Sequence, residues 1–253
     1  EGRWQIKIKP LAANTISQAM IISSSAGEKI TYRDILIGDV WICSGQSNME
    51  WSVKQSHNPQ QEISQANHPM IRLFDVSGHI IASSPQDRLQ RPSSWQACSP
   101  KAVTNFSAVG YYFGRELQKE LKVPIGLVGT NWGGTRIEPW TPPVGFKSVP
   151  NLKDYVENLE TVAKARAEGK KAKPKGGAVQ IYNGMVHALT PLSVRGAIWY
   201  QGESNAGRAK QYQRIFPNLI NDWRIHWNDG YLPFLFVQLA NFRKPLQKPA
   251  ESE

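Results

Sequence analysis

The sequence predicts an α/β domain in which a parallel sheet carries helices on both faces. From residue 39 onward, short apolar runs alternate with segments of helical periodicity, an order typical of strand–helix–strand units. Three of the apolar runs end in polar, glycine-containing turns, at residues 45–48, 132–135 and 201–205. Because parallel strands present their carboxyl ends at one edge of a sheet, we expect these turns to meet in a ligand crevice.

The first predicted strand of this domain covers residues 40–43, an apolar run that Ser44 and Gly45 interrupt. Further apolar runs of strand length follow at residues 70–74, 125–129, 197–200 and 234–237. Together these runs supply enough strands for a sheet whose two faces are covered by helices.

Helices are predicted between the strands wherever apolar residues recur at helical spacing. These segments are residues 59–66, 106–117, 152–162 and 209–227. Thr104 or Asn105 is the expected N-cap of the second helix, and Pro217 is expected to bend or break the last one. Residues 77–104 are rich in Ser and Pro, so we expect them to be irregular and to run over the surface.

Residues 1–37 have a different pattern from the rest of the chain. Strand-like runs at residues 4–9, 19–22 and 30–37 are separated by turns rich in Asn, Ser and Gly, without a helix. These strands are too few to close a sandwich. We therefore predict a partial antiparallel β unit over residues 1–37 and a catalytic domain over residues 38–253.

The composition is that of a globular protein. A chain of 253 residues with 40% hydrophobic residues and nine Trp can bury one large core, and no apolar run approaches the roughly 20 residues of a membrane span. Half of the net charge of +10 comes from residues 164–175, which hold six Lys or Arg and one acid. Gly and Pro within this tract favour a solvated loop, and no nucleic-acid-binding motif accompanies it, so no nucleic-acid partner is predicted.

The two cysteines, Cys43 and Cys98, fit neither a disulfide scaffold nor a zinc site. Cys43 lies in the first predicted strand and is most simply a small core residue, while pairing between the two cysteines stays open. The chain begins at Glu1 without a signal-type apolar region, so its targeting cannot be inferred from these residues.

Ser47 has two interpretations from its position. A serine directly after a buried strand is a candidate nucleophile, but serine is also a common helix N-cap. The other turns have equally simple alternatives, since Gly133 and Gly134 are compatible with a tight turn and Glu203 with a helix cap. The expected convergence of the three turns favours the nucleophile, and no phosphate-binding glycine motif follows any predicted strand.

The three turns share a known pattern when they are taken together. The segments are GQSNM at residues 45–49, WGGTRIEPW at residues 132–140 and WYQGESNA at residues 199–206. In this order, and over roughly residues 38–242, they resemble the sialate O-acetylesterase family of the SGNH hydrolase superfamily. The resemblance implies a flavodoxin-like three-layer sheet, a serine esterase without metal or cofactor, and acetylated sugars as substrates. It also implies a small β domain ahead of the catalytic one and, because the family is commonly exported, an extracellular or periplasmic location.

The resemblance assigns roles to individual residues. Ser47 matches the family's nucleophile, and Gly134 matches the glycine whose backbone N–H binds the oxyanion. Gln201 is the first choice for a side-chain donor to the oxyanion and Asn205 the second. Glu203 is expected to orient a catalytic histidine. Preorganised donors of this kind stabilise the tetrahedral intermediate of ester hydrolysis.

Residues beside these positions are expected to contact the substrate. Gln46, Asn48 and Trp132 are the candidates. Tryptophan rings suit stacking on sugars but are also ordinary core material, and those beside the motifs are Trp51, Trp132, Trp140 and Trp199.

The catalytic base is the departure from the family pattern. The family's histidine belongs to an Asp-x-x-His block, which does not occur in this sequence, so we expect the domain to be truncated at its C-terminus. Asp222 and His226 are four residues apart on a helix, which favours an ordinary surface pair. His187 precedes a strand by ten residues and is expected to be structural. The remaining histidines lie in polar segments and are expected to be exposed: His57, His68 and His79.

Two hypotheses follow. The first is a carbohydrate O-acetylesterase that forms an acetyl-Ser47 intermediate on 9-O-acetylated sialic acid or, alternatively, on acetylated xylan or another plant or algal polysaccharide. The second is a non-catalytic carbohydrate-binding relative that keeps the crevice and lacks the base.

Overall fold

A six-stranded sheet forms the centre of the computed structural model, which describes residues 6, 8–76, 78–147, 149 and 152–240. The strands, in chain order, are β1 (Asn14–Ser23), β2 (Lys29–Ile37), β3 (Asp39–Gly45), β4 (His68–Asp75), β5 (Gln96–Cys98), β6 (Ile125–Asn131), β7 (Gly196–Tyr200) and β8 (Phe234–Phe236). The central sheet has the order β5-β4-β6-β3-β7-β8, and β1 pairs with β2 in a separate two-stranded sheet.

All neighbours in the central sheet are parallel except β5, which pairs antiparallel with β4 at one edge. The predicted α/β class and the predicted parallel strands are confirmed. The expectation that residues 77–104 are irregular is wrong in part, because they contain β5 and a one-turn helix. A strand of three residues is too short to show an alternating pattern.

The strand order places β3 at the point where the chain changes direction across the sheet. The chain passes from β3 to β4, returns to β6 beside β3, and then crosses to β7 on the other side of β3. In open α/β sheets, the crevice outside the carboxyl ends of the strands at such a point is the usual ligand site.

The helices, in chain order, are α1 (Ser47–Glu50), α2 (Pro59–Ser64), α3 (Pro100–Val103), α4 (Ala108–Leu121), α5 (Pro143–Lys147), α6 (Lys153–Ala167) and α7 (Ala209–His226). The predicted cap of α4 is wrong. Its N-cap is Ser107, whose Oγ accepts the Gly110 N–H at 3.0 Å, because Phe106 is 4% exposed and packs in the core before the helix begins. The helix α7 continues through Pro217, so of the two predicted effects of this proline the break is wrong, and the bend stays a prediction.

Side chains from both faces of the sheet enter apolar clusters. Successive residues of β3 point to opposite faces, so Ile42 packs in one cluster and Cys43 in the other. The first cluster includes Trp140, Trp199 and Trp223, which are fully buried. Burial on both faces explains why the parallel strands appear in the sequence as nearly continuous apolar runs.

The antiparallel pair β1–β2 is largely exposed. It is linked to the central sheet by Asp34, whose carboxylate oxygens accept from Arg72 of β4 at 2.6 and 2.9 Å. Half of the run at residues 4–9 lies outside the described residues, and Ile6 and Ile8 are exposed. The division into two domains stays a prediction.

The cysteines are free thiols in the core. Cys43 is fully buried and Cys98 is nearly so. The core position predicted for Cys43 is confirmed, and the two thiols do not form a disulfide. Among the helices that the structure describes, none has the length and apolar character needed to span a membrane.

Candidate active site

The three polar turns predicted from the sequence meet at one edge of the sheet. Gly45 at the end of β3 is in register with Asn131 of β6 on one side and with Tyr200 of β7 on the other. Beyond these positions, the Trp132 N–H donates to the Gly45 carbonyl at 3.0 Å and the Gln46 N–H donates to the Tyr200 carbonyl at 2.9 Å. The backbone of the first turn is therefore hydrogen-bonded to the turn after β6 and to the last residue of β7.

Ser47 is exposed at this edge as the first residue of α1. The N-cap of α1 is Gln46 and has no side-chain capping hydrogen bond, so the interpretation of Ser47 as only an N-cap is wrong. The turn that presents Ser47 depends on Gly45, whose φ is +147°. A Cβ at position 45 would lie 2.1 Å from the Tyr200 carbonyl oxygen, so only glycine fits there.

Gln46 joins the nucleophile turn to the turn after β7. It is 3% exposed, and its Oε1 accepts from the Gln201 Nε2 at 3.1 Å. The same oxygen accepts from the backbone N–H groups of Gly202 at 3.3 Å and Ser204 at 3.2 Å. Gln46, which the sequence predicts to contact the substrate, is thus buried and links the two turns through hydrogen bonds.

Gln201 and Asn205 belong to the same buried network. The Nε2 of Gln201 has three acceptors, namely Gln46 Oε1, the Thr135 carbonyl at 3.1 Å and Asn205 Oδ1 at 2.9 Å. Asn205 in turn accepts from the Ile137 N–H and donates to Glu138. With two hydrogens and three acceptors, the Gln201 amide has no hydrogen left for a substrate, and its role in binding the oxyanion stays a prediction.

Asn48 and Glu203 connect the same two turns at the side of Ser47. The Nδ2 of Asn48 donates to the Oε1 of Glu203 at 2.5 Å. The other carboxylate oxygen of Glu203 is buried and has no hydrogen-bond partner among the residues that the structure describes. This carboxylate, which is hydrogen-bonded to Asn48 next to Ser47, therefore keeps one oxygen with a free capacity to accept a hydrogen bond.

Gly133 and Gly134 form the third turn. A Cβ at Gly133 would lie 3.6 Å from both the Cα and the Cβ of Ser47, which puts this turn directly against the nucleophile. The Gly133 N–H donates to the Oε2 of Glu50 at 2.7 Å. Gly134 has φ +73° and is exposed, and a Cβ added there would meet no atom within 4 Å.

Glu50 and His79 are part of this site, although the sequence did not single them out for it. The Nε2 of His79 lies 2.7 Å from the Oε1 of Glu50. The imidazole of His79 also stacks on the Trp132 indole at 4.5 Å with an interplanar angle of 10°. The signal for Glu50 was its place one helical turn after Ser47, which puts both residues on the same side of α1.

A polar cavity of about 120 Å³ lies beside α1, and its lining includes Glu50, Asp75, His79 and Asn131. Burial and the negative charge of Glu50 raise the pKa of Asp75, while His79 opposes this shift. Two carboxylates in one small cavity favour neutral or cationic groups there over anions. In the described ranges, no three His, Cys, Asp or Glu side chains converge as metal ligands.

The other histidines lie elsewhere. His57 is exposed as predicted, whereas His68 is half-buried against the Tyr111 ring, so the prediction of exposure is wrong for His68. His187 contacts the Tyr182 hydroxyl at 3.2 Å. Among the described residues, none of these side chains hydrogen-bonds the Ser47 hydroxyl.

The surface pair predicted for Asp222 and His226 is wrong. Asp222 is 3% exposed, and His226 Nδ1 lies 2.8 Å from the Asp222 backbone carbonyl rather than from its carboxylate. The carboxylate lies against Gly145, where an added Cβ would be 2.4 Å from Oδ2. Burial raises the pKa of Asp222 to about 6, with smaller opposing effects of His226 and the Gly145 N–H.

The tryptophans beside the motifs separate into two groups. Trp140 and Trp199 are fully buried in the core, so they are not available to stack on a sugar. Trp51 is 50% exposed at the end of α1, and Trp132 is half-buried at the crevice. Only the second pair has rings that a ligand can reach.

Comparison with known proteins places these features in a family. A model of the carbohydrate esterase family described as sialic acid-specific acetylesterase matches residues 37–252. The chain is 34% identical to a sialate O-acetylesterase of Mus musculus, with 94% of this chain and 50% of the relative covered. It is 31% identical to a sialate O-acetylesterase of Homo sapiens, with 94% and 47% covered.

A solved structure gives the same result at the level of the fold. The crystal structure of a carbohydrate acetylesterase from Xanthomonas citri superposes with a TM-score of 0.77 at 35% identity, covering 94% of this chain and 49% of that one. The chain thus spans about half the length of the curated relatives and of the solved structure that it matches.

Proposed function

We propose, because the chain belongs to the carbohydrate esterase family of sialic acid-specific acetylesterases, that it hydrolyses acetyl esters of sugars with Ser47 as the nucleophile. The observation that carries the proposal is the placement of Ser47. It is exposed at the head of α1, does not serve as the N-cap, and lies against the Gly133 turn at the edge where β3, β6 and β7 end.

The first step is attack of the Ser47 Oγ on the acetyl carbonyl. The bond from Oγ to the carbonyl carbon forms while the carbonyl oxygen becomes negatively charged. The base that took the Ser47 proton returns it to the departing oxygen as the intermediate collapses, which releases the sugar hydroxyl and leaves acetyl-Ser47. Water then hydrolyses this ester to acetate and free serine.

The negative oxygen needs donors that are already in place. The Gly133 N–H is occupied by Glu50, whereas Gly134 is exposed and faces open space, so we assign the backbone donor to Gly134. For Gln201 to act as a second donor, it has to exchange one of its three acceptors for the oxyanion. Otherwise its contribution, like that of Asn205, is to hold the turn after β7 in position.

Removal of the Ser47 proton requires a base. We assign Glu203 as the residue that orients this base. An imidazole between a serine hydroxyl and a carboxylate is the usual arrangement in serine esterases. The unpartnered Oε2 of Glu203 is compatible with accepting an imidazole N–H. The imidazole itself is not assigned, because the Asp-x-x-His block does not occur in the sequence.

The substrates that we propose are 9-O-acetylated sialic acid and, as the alternative, acetylated xylan or a similar neutral polysaccharide. The names of the mammalian relatives support the first. The carboxylates of Glu50 and Asp75 support the neutral polysaccharide. If part of the substrate enters the cavity that they line, they repel the carboxylate of sialic acid. A non-catalytic carbohydrate-binding role is the second candidate, and it is supported by the observation that none of the described histidines hydrogen-bonds the Ser47 hydroxyl.

The test is acetate release from p-nitrophenyl acetate, 9-O-acetylated sialic acid and acetylated xylan. It compares this chain and any longer natural form of the polypeptide, each with and without Ser47→Ala. Release that disappears in the Ser47→Ala variants supports the esterase. Release that survives the substitution contradicts Ser47 as nucleophile, and sugar binding without release in either form supports the binding protein.

A further inference from the structure

Glu50 occupies a specific position between the nucleophile helix and the turn that carries the assigned oxyanion donor. It lies on α1, three residues after Ser47, and its Oε2 accepts the Gly133 N–H at 2.7 Å. A charged acceptor makes this hydrogen bond stronger than one between neutral groups. The carboxylate therefore fixes the peptide that directly precedes the Gly134 amide.

The contact leaves little freedom at this point of the turn. A Cβ added to Gly133 would lie 2.5 Å from the Glu50 Oε2 and 3.6 Å from the Ser47 Cβ. The carboxylate, the Gly133 backbone and the nucleophile are thus packed against one another. Displacement of the carboxylate would free the turn at the point where it contacts Ser47.

His79 contacts both Glu50 and the turn at residues 132–135. Its Nε2 lies 2.7 Å from the other oxygen of Glu50, and its ring stacks on Trp132. Glu50 bonds the Gly133 backbone while His79 covers the neighbouring Trp132 side chain. These four residues form a closed set of contacts around the turn.

The charge of Glu50 also matters for the reaction. A negative charge close to the developing oxyanion opposes it, and the imidazole of His79, whose Nε2 lies 2.7 Å from the Glu50 Oε1, is the neighbouring group in hydrogen-bond contact with that carboxylate. Asp75 lines the same cavity and adds a second carboxylate. Both oxygens of Glu50 are already engaged, which favours a fixed acceptor over a residue that takes the proton of Ser47.

We propose that Glu50 is a positioning residue of the esterase site, which aims the Gly134 N–H at the oxyanion by holding the Gly133 N–H. The inference rests on the proposed function and deepens it. Glu50 does not touch the reacting atoms in this assignment and acts on them through the backbone of the turn.

The test compares Glu50→Gln, which keeps an acceptor oxygen, with Glu50→Ala, which removes it. In Glu50→Ala, we expect kcat for acetate release to fall by about tenfold or more with KM within about twofold, because loss of one oxyanion donor typically costs ~10²–10³ in rate. Glu50→Gln is expected to restore most of kcat. Glu62→Ala is the matched control. It removes a carboxylate that lies away from the turn and pairs with Arg115 at a distance of 2.6 Å.

A second readout does not depend on catalysis. In ¹⁵N-labelled protein, the Gly133 amide is expected to be protected from hydrogen exchange in the wild type and in Glu50→Gln, and to exchange rapidly in Glu50→Ala. An unchanged Gly133 amide in Glu50→Ala overturns the proposal, and so does an equal loss of kcat in Glu50→Gln and Glu50→Ala. If the wild type shows no Ser47-dependent release, the proposed function fails, and the Gly133 amide still decides whether Glu50 holds the turn.

Discussion

Replacement of Gln46 by Leu tests the buried network that joins the nucleophile turn to the turn after β7. The two side chains are similar in size, but Leu has no acceptor for the three N–H groups that the Gln46 Oε1 accepts. The Gln201 Nε2 keeps its other two acceptors, so the loss falls on the backbone N–H groups of Gly202 and Ser204.

The magnitude follows from these two orphaned donors. Gln46 is 3% exposed, so water cannot readily replace its oxygen. A buried donor without a partner costs about 1–3 kcal/mol, and the half-buried Ser204 loses less than the buried Gly202, which together predict a loss of about 2–4 kcal/mol in the free energy of unfolding. In Gln46→Glu, a carboxylate oxygen can accept from all three groups, so this variant is expected to be more stable than Gln46→Leu.

The assay is urea unfolding at pH 8, followed by tryptophan fluorescence. Gln60→Leu in α2 is the control, because Gln60 is exposed and a surface substitution is usually within about 0.5 kcal/mol of the wild type. A Gln46→Leu protein within about 1 kcal/mol of the wild type, or one more stable than Gln46→Glu, would refute the reasoning.

Three further predictions concern the core and the turns. Asp222→Asn should gain stability relative to the wild type as pH rises from about 4 to above 6. Burial raises the pKa of Asp222 from 3.8 to about 6, so above pH 6 the ionised carboxylate lowers the stability of the folded wild type by about 3 kcal/mol. Urea unfolding at both pH values measures the difference in free energy of unfolding between the two proteins. Parallel pH profiles of the two proteins would contradict the prediction. In Gly45→Ala, the free energy of unfolding should fall by more than about 3 kcal/mol, because the added Cβ meets a carbonyl oxygen. In Gly134→Ala it should fall by about 1 kcal/mol, because only the positive φ is unfavourable. Equal melting temperatures of the two variants would count against this prediction. Cys43 and Cys98 should react with a thiol reagent only after unfolding, since burial raises both thiol pKa values, that of Cys98 to about 11; rapid reaction of the native protein would disprove this.

The parallel strands and the place of the crevice were predictable because their signals are local. A strand buried on both faces needs apolar side chains at nearly every position, as in residues 40–43 and 125–129. The polar turns follow directly after those runs. The topology of a parallel sheet then brings the turns together without further information.

The elements that the sequence did not predict depend on contacts between distant residues. The short strand β5 exists because it pairs with β4, more than twenty residues earlier in the chain. Asp222 and His226 share a helix face, as their spacing requires, but spacing does not show whether that face is buried. Asp222 is buried because its carboxylate packs against Gly145 and because this face of α7 lies on the core.

The site shows the same distinction. Ser47, Gly134 and Gln201 follow strand ends and could be selected from the sequence, but the hydrogen bonds that occupy Gln201 could not. The bond from Gly133 to Glu50 joins residues 83 positions apart, and the stacking of His79 on Trp132 links a surface segment to the crevice. Such contacts become visible only when the strands are placed side by side.

Identification of the acetylated residue tests the central claim most directly. The longest natural form of the polypeptide is mixed with p-nitrophenyl acetate, quenched in acid during turnover, and digested for mass spectrometry. The proposed mechanism predicts one acetyl group on the peptide that contains Ser47, and none on that peptide in Ser47→Ala. Acetate release with the acetyl group on another residue, or with the same rate in Ser47→Ala, would contradict it.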